Sequence, residues 1–205
     1  MKQYKNIIFD LGNVLLDIDY NKTVAAFEDL GFANFKSNYT PLKMDVVFEQ
    51  LETGQITGEE FCSRIKAISK TPLTDQQITD AWNALFLSFR LPSLAYLEQL
   101  AGQYQLYLFS NTNSIHYTAF ESMFIKDTGK KSLDDYFTKA YYSHLIGHRK
   151  PEVAAYNYVV QDAGIKAEET LFIDDLPNNI EGARLAGLGA HLLLPHERIE
   201  NLGLA

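Results

Sequence analysis

Three short apolar runs, each closing on a polar or acidic cluster, constrain this chain more than any other feature. Tyr4 to Phe9 ends on Asp10, Gln105 to Phe109 on Ser110-Asn111-Thr112-Asn113, and Thr170 to Ile173 on Asp174-Asp175. Runs this short and this apolar suit strands buried on both faces, the condition of a parallel sheet covered by helices. The spacing between them predicts those helices. Pro92 suits a first helical turn, with Leu94, Leu97 and Ala101 on one face and Gly102 as the stop. His116, Ala119, Phe120 and Met123 mark a second helix. Pro151 opens a third, carrying Val153, Tyr156 and Val160 and ended by Gly164, and Pro177 to Ala186 form a fourth. Residues 139–142 and His191 to Leu194 read as two further short strands. Strands alternating with helices in this way imply an α/β fold, a parallel sheet wrapped on both faces.

Residues from about 20 to 90 interrupt that alternation with consecutive helices and no strand signal. Met44, Val47, Phe48 and Leu51 fall on one helix face, as do Phe61, Ile65 and Ile68, and Ile78, Ala81, Trp82, Leu85 and Phe89. Thr53-Gly54-Gln55 and Lys70-Thr71-Pro72 separate them. The expected organisation is a core from residues 1–17 and 91–205, with an all-helical cap inserted at 18–90.

Composition narrows the function classes. The 205 residues are 46% hydrophobic and 21% charged, which is ordinary for a globular chain and argues against disorder. No apolar run reaches the ~18 residues of a membrane span. The stretch from Ile7 to Leu16 is broken by Asp10 and Asn13 and lacks the flanks of a signal peptide. The single cysteine, Cys62, excludes an internal disulfide and a four-thiolate zinc site. These features favour the cytosol, with no membrane partner. A net charge of -8 argues against broad nucleic-acid binding. An acidic chain that binds an anion needs a local device: a metal, a lysine or a helix N-terminus.

In open parallel sheets, ligands bind at the carboxyl ends of the strands. Topology would therefore gather Asp10, Ser110, Asn111, Asp174 and Asp175 on one edge. Lys150, just before a helix-opening proline, can reach the same edge. Three carboxylates without a nearby His or Cys suit a hard cation that prefers oxygen, Mg²⁺ above others. A lysine with hydroxyl, amide and main-chain donors suits a phosphoryl group. A carboxylate can itself be the nucleophile, forming an aspartyl-phosphate, and a cation then lets one anion approach another. Each residue alone has a plainer reading: an Asp after a strand is usually a turn residue, Asp-Asp before Leu-Pro can cap a helix, and a lone Lys is usually solvated. The ordered combination is far more specific than its parts.

That combination resembles the four motifs of the haloacid dehalogenase superfamily, and the resemblance runs along the whole chain. The motifs are Phe9-Asp10-Leu11-Gly12-Asn13-Val14-Leu15, then Leu108-Phe109-Ser110-Asn111, then Gly147-His148-Arg149-Lys150-Pro151-Glu152 followed by Tyr156, and Phe172-Ile173-Asp174-Asp175 with Asn179-Ile180-Glu181-Gly182-Ala183. The helical insertion after the first motif is similar to the family's helical-cap subclass. The resemblance implies a Rossmann-like core, Mg²⁺ dependence and hydrolysis of a small phosphorylated metabolite, plausibly a sugar phosphate. The Asp-Leu-Gly-Asn opening is similar to a branch that includes an α-glucose-1-phosphate phosphatase. By position, the resemblance makes Asp10 the nucleophile and a metal ligand, and the Gly12 carbonyl a further ligand. Ser110 and Asn111 would hold phosphoryl oxygens, with Arg149 a candidate second contact. Lys150 would offset charge at Asp10 and the phosphoryl group, and Asp174 and Asp175 would complete the metal site.

Gly12 departs from the pattern. Most phosphatases of the superfamily carry a second Asp there as general acid and base, whereas its dehalogenases do not. A metal-independent 2-haloacid dehalogenase and a catalytically weak phospho-ligand binding protein are therefore the alternatives. A mutase fits poorly, because phosphoryl shuttling between hydroxyls leans on that missing acid. Without it, turnover should depend steeply on leaving-group acidity and favour a sugar 1-phosphate over the 6-phosphate. Asp17, Asp19, Tyr20 and Asn21 lie at the hinge, within reach of the cleft, although Asp19 or Asn21 is better read as a helix cap. Trp82 and Phe86 are candidates to face a sugar, but Trp82 also fits the apolar stripe of the cap. His116 reads as an ordinary helix residue, and Cys62 as inert.

Overall fold

The computed structural model describes residues 4–32, 35, 39–40, 43–44 and 46–205. The three apolar runs lie side by side. β1 (Asn6–Phe9) is the central strand, paired in parallel with β6 (Gln105–Ser110) on one side and β8 (Thr170–Asp174) on the other. β7 (Lys139–Tyr142) and β9 (Gly189–Leu192) extend the sheet to five parallel strands in the order β7-β6-β1-β8-β9. In-register pairing sets the ends of β1, β6 and β8 level, so that Asp10, Ser110 and Asp174 emerge on one edge.

Both faces of the sheet are covered, which explains why the middles of its central strands, Ile7–Phe9, Leu106–Phe109 and Leu171–Ile173, show no polar alternation. Ile7, Phe9, Leu106, Leu108 and Ile173 pack with α5 (Leu91–Leu100) and α6 (Ser114–Thr128). Ile8, Tyr107, Phe109 and Phe172 pack with α8 (Val153–Asp162) and α9 (Pro177–Leu185). Pro92 lies in the first turn of α5, as the sequence predicts. α8 begins at Val153, two residues beyond the proline expected to open it.

The inserted block packs α1 (Tyr20–Asp29), α2 (Val46–Glu52), α3 (Gly58–Ile68) and α4 (Asp75–Asn83) around an aromatic centre. Capping boxes start two of these helices, Thr57 with Glu60 and Thr74 with Gln77. Trp82 sits at the middle, 1% exposed, stacked on Phe48 at 4.8 Å and tilted against Phe61 at 5.4 Å. That is the cap-core place expected of it. Ile68, expected on the buried face of α3, is exposed at the helix end. Met44 has its backbone in a short ribbon, β3 (Tyr39–Thr40) with β4 (Lys43–Met44), and not in α2.

A larger difference lies at the exit from this block. Leu85 and Phe89 are four residues apart and fit a helix, but α4 stops at Asn83 and β5 (Phe86–Phe89) follows. β5 pairs antiparallel with β2 (Leu16–Ile18), the segment that enters the block. The Asp19 N–H donates to the Leu85 carbonyl and the Arg90 N–H to the Leu15 carbonyl, each at 2.8 Å. The two chain crossings satisfy each other's backbone groups, a long-range pairing that helical periodicity cannot reveal. Asp17 and Arg90 lock the same ribbon, with Nε and a terminal nitrogen of Arg90 each 2.7 Å from Oδ1 of Asp17. Among the described residues, no helix is long and apolar enough to cross a membrane.

Trp82→Ala removes the ring on which this aromatic cluster converges. It should lower unfolding stability by about 3–5 kcal/mol in urea denaturation followed by circular dichroism. A loss below about 1 kcal/mol would show that the cluster collapses around the cavity.

Candidate active site

The polar ends of the strands meet where the sheet topology brings them. Asp10 follows β1 directly, its N–H donating to the Ile173 carbonyl at 2.9 Å as the ladder ends. Asp174 is the last residue of β8 and fully buried. Lys150 reaches between them from the segment before α8. Its ammonium lies 2.6 Å from Oδ1 of Asp10 and 2.7 Å from Oδ2 of Asp174, with 1% of the side chain exposed. The rings of Phe109 and Phe172 flank it at 5.3 and 5.2 Å.

Asn111, at the tip of β6, holds Lys150 by its backbone. Its Nδ2 donates to the Lys150 carbonyl at 2.8 Å, and its Oδ1 accepts from the Lys150 N–H at 2.9 Å. Both ends of this amide are thus engaged, and the second hydrogen of its Nδ2 remains for a ligand. Ser110 is buried and lines the cleft, with only a long 3.5 Å contact from its hydroxyl to the Asn111 carbonyl. Asn179 donates to both oxygens of Asp174 at 3.0 Å, fixing that carboxylate from α9.

The loop after β1 turns through Asn13, whose φ of 53° is left-handed, a conformation asparagine tolerates better than most residues. Its Nδ2 donates to Oδ2 of Asp175 at 3.1 Å, and its Oδ1 accepts from the Ile18 N–H at 3.2 Å. One side chain therefore ties the acidic pair to the ribbon that leads into the cap. Sequence alone assigns Asn13 no site role, although an Asn after Gly in a tight loop is the signal for such a turn. Gly12 lines the cleft. A Cβ at this position would lie 2.7 Å from Cδ1 of Ile18, so Ile18 fills the space that a side chain at position 12 would take.

Of the hinge residues, Tyr20 lines the cleft, whereas Asp17 is committed to Arg90 and Asp19 caps α1 by accepting from the Asn21 N–H at 2.9 Å. Phe86 is a wall residue. Contrary to its reading as an ordinary helix residue, His116 is buried against the cap. Its ring stacks on Trp82 at 4.8 Å and its Nδ1 lies 2.8 Å from Oδ1 of Asn83. Burial pushes it down to about 3, so the imidazole is neutral. Arg149 lines the cleft with a terminal nitrogen 3.3 Å from Oε2 of Glu52. Glu52, at the end of α2, was not singled out from the sequence. An acidic residue at a helix end looks like a solvated charge until the cap is seen to bury it.

Electrostatics mark this cluster. Burial pushes the Asp10 carboxyl up to about 7; Lys150 opposes the shift, while Asp174 and Asp175 add to it. Asp175 is pushed up to about 6 by burial and by Asp174. Burial works against the charge on Lys150, yet Asp10 and Asp174 hold its pKa above the ordinary value. Three carboxylates around one ammonium leave negative charge uncompensated. Asp10, Asp174 and Asp175 each offer an oxygen, all within 4.8 Å of one another. Such a set of hard donors fits a divalent cation that prefers oxygen.

With this geometry established, comparison with known proteins decides the family. The model of the haloacid dehalogenase-like hydrolases matches residues 4–187. The chain belongs to that family. Among its relatives is a D-ribitol-5-phosphate phosphatase from Bacteroides thetaiotaomicron, 35% identical over 176 residues that cover 86% of this chain and 85% of the relative. The fold agrees with that of a haloacid dehalogenase-family enzyme from the same organism, solved as a magnesium complex, at a TM-score of 0.89 and 33% identity over 98% of both chains. The wild-type form of that enzyme, solved with magnesium and inorganic phosphate, gives 0.85 and 32% over 98% of this chain and 99% of its own.

The buried carboxylates yield a pH prediction for the metal-free protein. Burial holds the Asp10 carboxyl at about 7 in the folded state against its ordinary 3.8, so between these values the native state binds more protons than the unfolded state. Its contribution to stability falls as pH rises through that window. In EDTA, the stability of wild type should fall relative to that of Asp10→Asn as pH rises from 4 to 8, on top of a pH-independent cost to the variant from weakening the Lys150 pair. Denaturation curves offset by the same amount at every pH would contradict the shift.

Proposed function

We propose that this chain is a Mg²⁺-dependent phosphatase of small phosphomonoesters, sugar or polyol phosphates above others, working through an aspartyl-phosphate on Asp10. The observation that carries this reading is the buried cluster of Asp10, Lys150, Asp174 and Asp175 at the sheet edge. Its support is the family membership and a relative named for phosphatase activity on a polyol phosphate.

In this reading Asp10, Asp174, Asp175 and the Gly12 carbonyl would hold Mg²⁺. The cation supplies charge neutralisation for the meeting of two anions. An oxygen of Asp10 attacks phosphorus and the alcohol oxygen leaves as an alkoxide that takes a proton from water; a second water then attacks phosphorus, gives up a proton to solvent, releases phosphate and restores the carboxylate. Lys150 keeps Asp10 ionised and aligned, and offsets charge that develops on the phosphoryl oxygens. Ser110 contacts the phosphoryl group through its hydroxyl, and Arg149 stands on the side of the leaving alcohol. Asn111 acts through Lys150 by fixing its backbone.

Position 12 bears on the choice of ester. No acid stands at position 12, where an added Cβ would meet only the flexible end of Ile18, and among the described residues neither Asp17 nor Asp19 lines the cleft. The Asp-Leu-Gly-Asn opening supports faster turnover of anomeric phosphates, whose leaving hydroxyl is the more acidic. The relative named above acts on the phosphate of a primary alcohol. Glucose 1-phosphate, glucose 6-phosphate and ribitol 5-phosphate compared with Mg²⁺ separate the two classes. Preference for the anomeric ester supports the leaving-group argument, and preference for ribitol 5-phosphate shows that contacts in the cleft override it.

Two outcomes test the chemistry. Asp10→Asn should keep the fold and lose at least about a hundredfold in turnover, since an amide cannot replace the nucleophile. EDTA should stop the wild-type reaction and excess Mg²⁺ restore it. Full turnover in EDTA, or halide release from a 2-haloacid without metal, would replace the phosphatase reading with the dehalogenase one.

A further inference from the structure

The cleft has a second pole. Glu52 is the one carboxylate lining it from the inserted block, among the described residues; Asp10 and Asp175 line it from the sheet edge. Its side chain is 14% exposed, and its ionic partner is Arg149, with 3.3 Å between Oε2 and the guanidinium. That is longer than the 2.7–2.9 Å typical of a charge-assisted hydrogen bond, and among the described residues Oε2 has no hydrogen-bond partner. Burial pushes the carboxyl up to about 7, with Arg149 opposing the shift and Glu49 adding to it. A carboxylate oxygen so far out of water with a long contact to its ionic partner is costly, and donors on a ligand would relieve it.

The position of Glu52 is fixed independently of this ion pair. The loop after α2 turns at Gly54, with φ of 69°, directly against the backbone of α7 (Ser143–Ile146). A Cβ there would lie 2.1 Å from the His144 carbonyl oxygen, so only glycine allows this approach. The end of α2 is thereby seated over the cleft. Arg149 immediately precedes Lys150, whose ammonium touches Asp10, so the Glu52–Arg149 pair stands beside the phosphoryl pole. A second cation from the ligand would face Arg149 and Lys150. A hydroxyl avoids that conflict, because it donates to a carboxylate while its lone pairs accept from a guanidinium.

We propose that Glu52, steadied by Arg149, accepts hydrogen bonds from hydroxyl groups on the alcohol part of the substrate, and so selects polyhydroxylated phosphomonoesters over plain alkyl ones. This assignment rests on the phosphatase reading. Glu52 is a specificity-determining residue in it, not the nucleophile.

The test compares D-ribitol 5-phosphate with n-pentyl phosphate, which share chain length and a primary leaving oxygen and differ in hydroxyls. p-Nitrophenyl phosphate is the third substrate, because its leaving group needs no proton. Wild type, Glu52→Gln and Glu52→Asp are assayed as full chains with Mg²⁺, after thermal unfolding shows that each is folded. The ratio of kcat/KM for ribitol phosphate over pentyl phosphate should exceed one in wild type. It should fall roughly tenfold or more in both variants, carried mainly by KM. Three results would overturn the assignment. An unchanged ratio with both alkyl esters falling against p-nitrophenyl phosphate would make Glu52 a proton donor to the leaving oxygen. Equal loss on all three esters would make the ion pair a latch between cap and sheet. No loss on any would leave Glu52 without a part in turnover. Wild type that hydrolyses none of the three is a distinct result, overturning the phosphatase reading on which the assignment stands.

Discussion

The ion cluster centred on Lys150 is the interaction on which the rest of this structure depends. An ammonium with 1% exposure is tolerable only because Asp10 and Asp174 meet it at 2.6 and 2.7 Å. Those carboxylates meet it only because β1 and β8 are adjacent, parallel and in register, so that both strands end at the same height. Asn111 at the end of β6 and Asn179 on α9 then fix the lysine backbone and the Asp174 carboxylate. Each fixed charge therefore traces to a strand order that the apolar runs impose. Removal of one partner would strand the others in a buried place, which couples the stability of the sheet edge to the integrity of the site.

The cap completes what the sheet edge begins. The β2–β5 ribbon and the Asp17–Arg90 pair hold the two crossings together, and Asn13 connects that ribbon to Asp175. Trp82 carries the aromatic centre of the cap onto His116 of α6, while Gly54 seats the end of α2 on the His144 backbone. The cleft is thus bounded by one pole suited to a metal and a phosphoryl group, and by another that carries Glu52 and Arg149. Such a division suits an enzyme of this family: chemistry common to many phosphate esters at the sheet edge, and recognition of the alcohol on the inserted block.

Much of this was legible in the sequence because it depends on local pattern. Strands with continuous apolar middles and polar tips specify a covered parallel sheet, and every one of the three tips lies where topology predicts. Lys150 was legible as a member of that set because a proline follows it at the start of a helical stretch. What escaped depends on contacts between distant segments. β5 reads as a helix continuation because Leu85 and Phe89 match a helical spacing, and only its pairing with Leu16–Ile18 makes it a strand. Glu52 resembles any solvated acid until docking of α2 brings Arg149 against it. His116 occupies an ordinary helical position whose burial arises from Trp82 of the cap. For Asn111, residue type alone suggests a phosphoryl contact; only the position of the Lys150 backbone shows that its amide is engaged.

The central claim is that Asp10 carries the phosphoryl group during turnover. Acid quenching of the enzyme at steady state with substrate and Mg²⁺, followed by peptide mass spectrometry, tests it most directly. Attack by Asp10 would leave a hydroxylamine-labile phosphoryl adduct on the peptide that contains Asp10, and at that residue. Turnover of the same substrate with no adduct trapped on any carboxylate, or an adduct on a different residue, would contradict it.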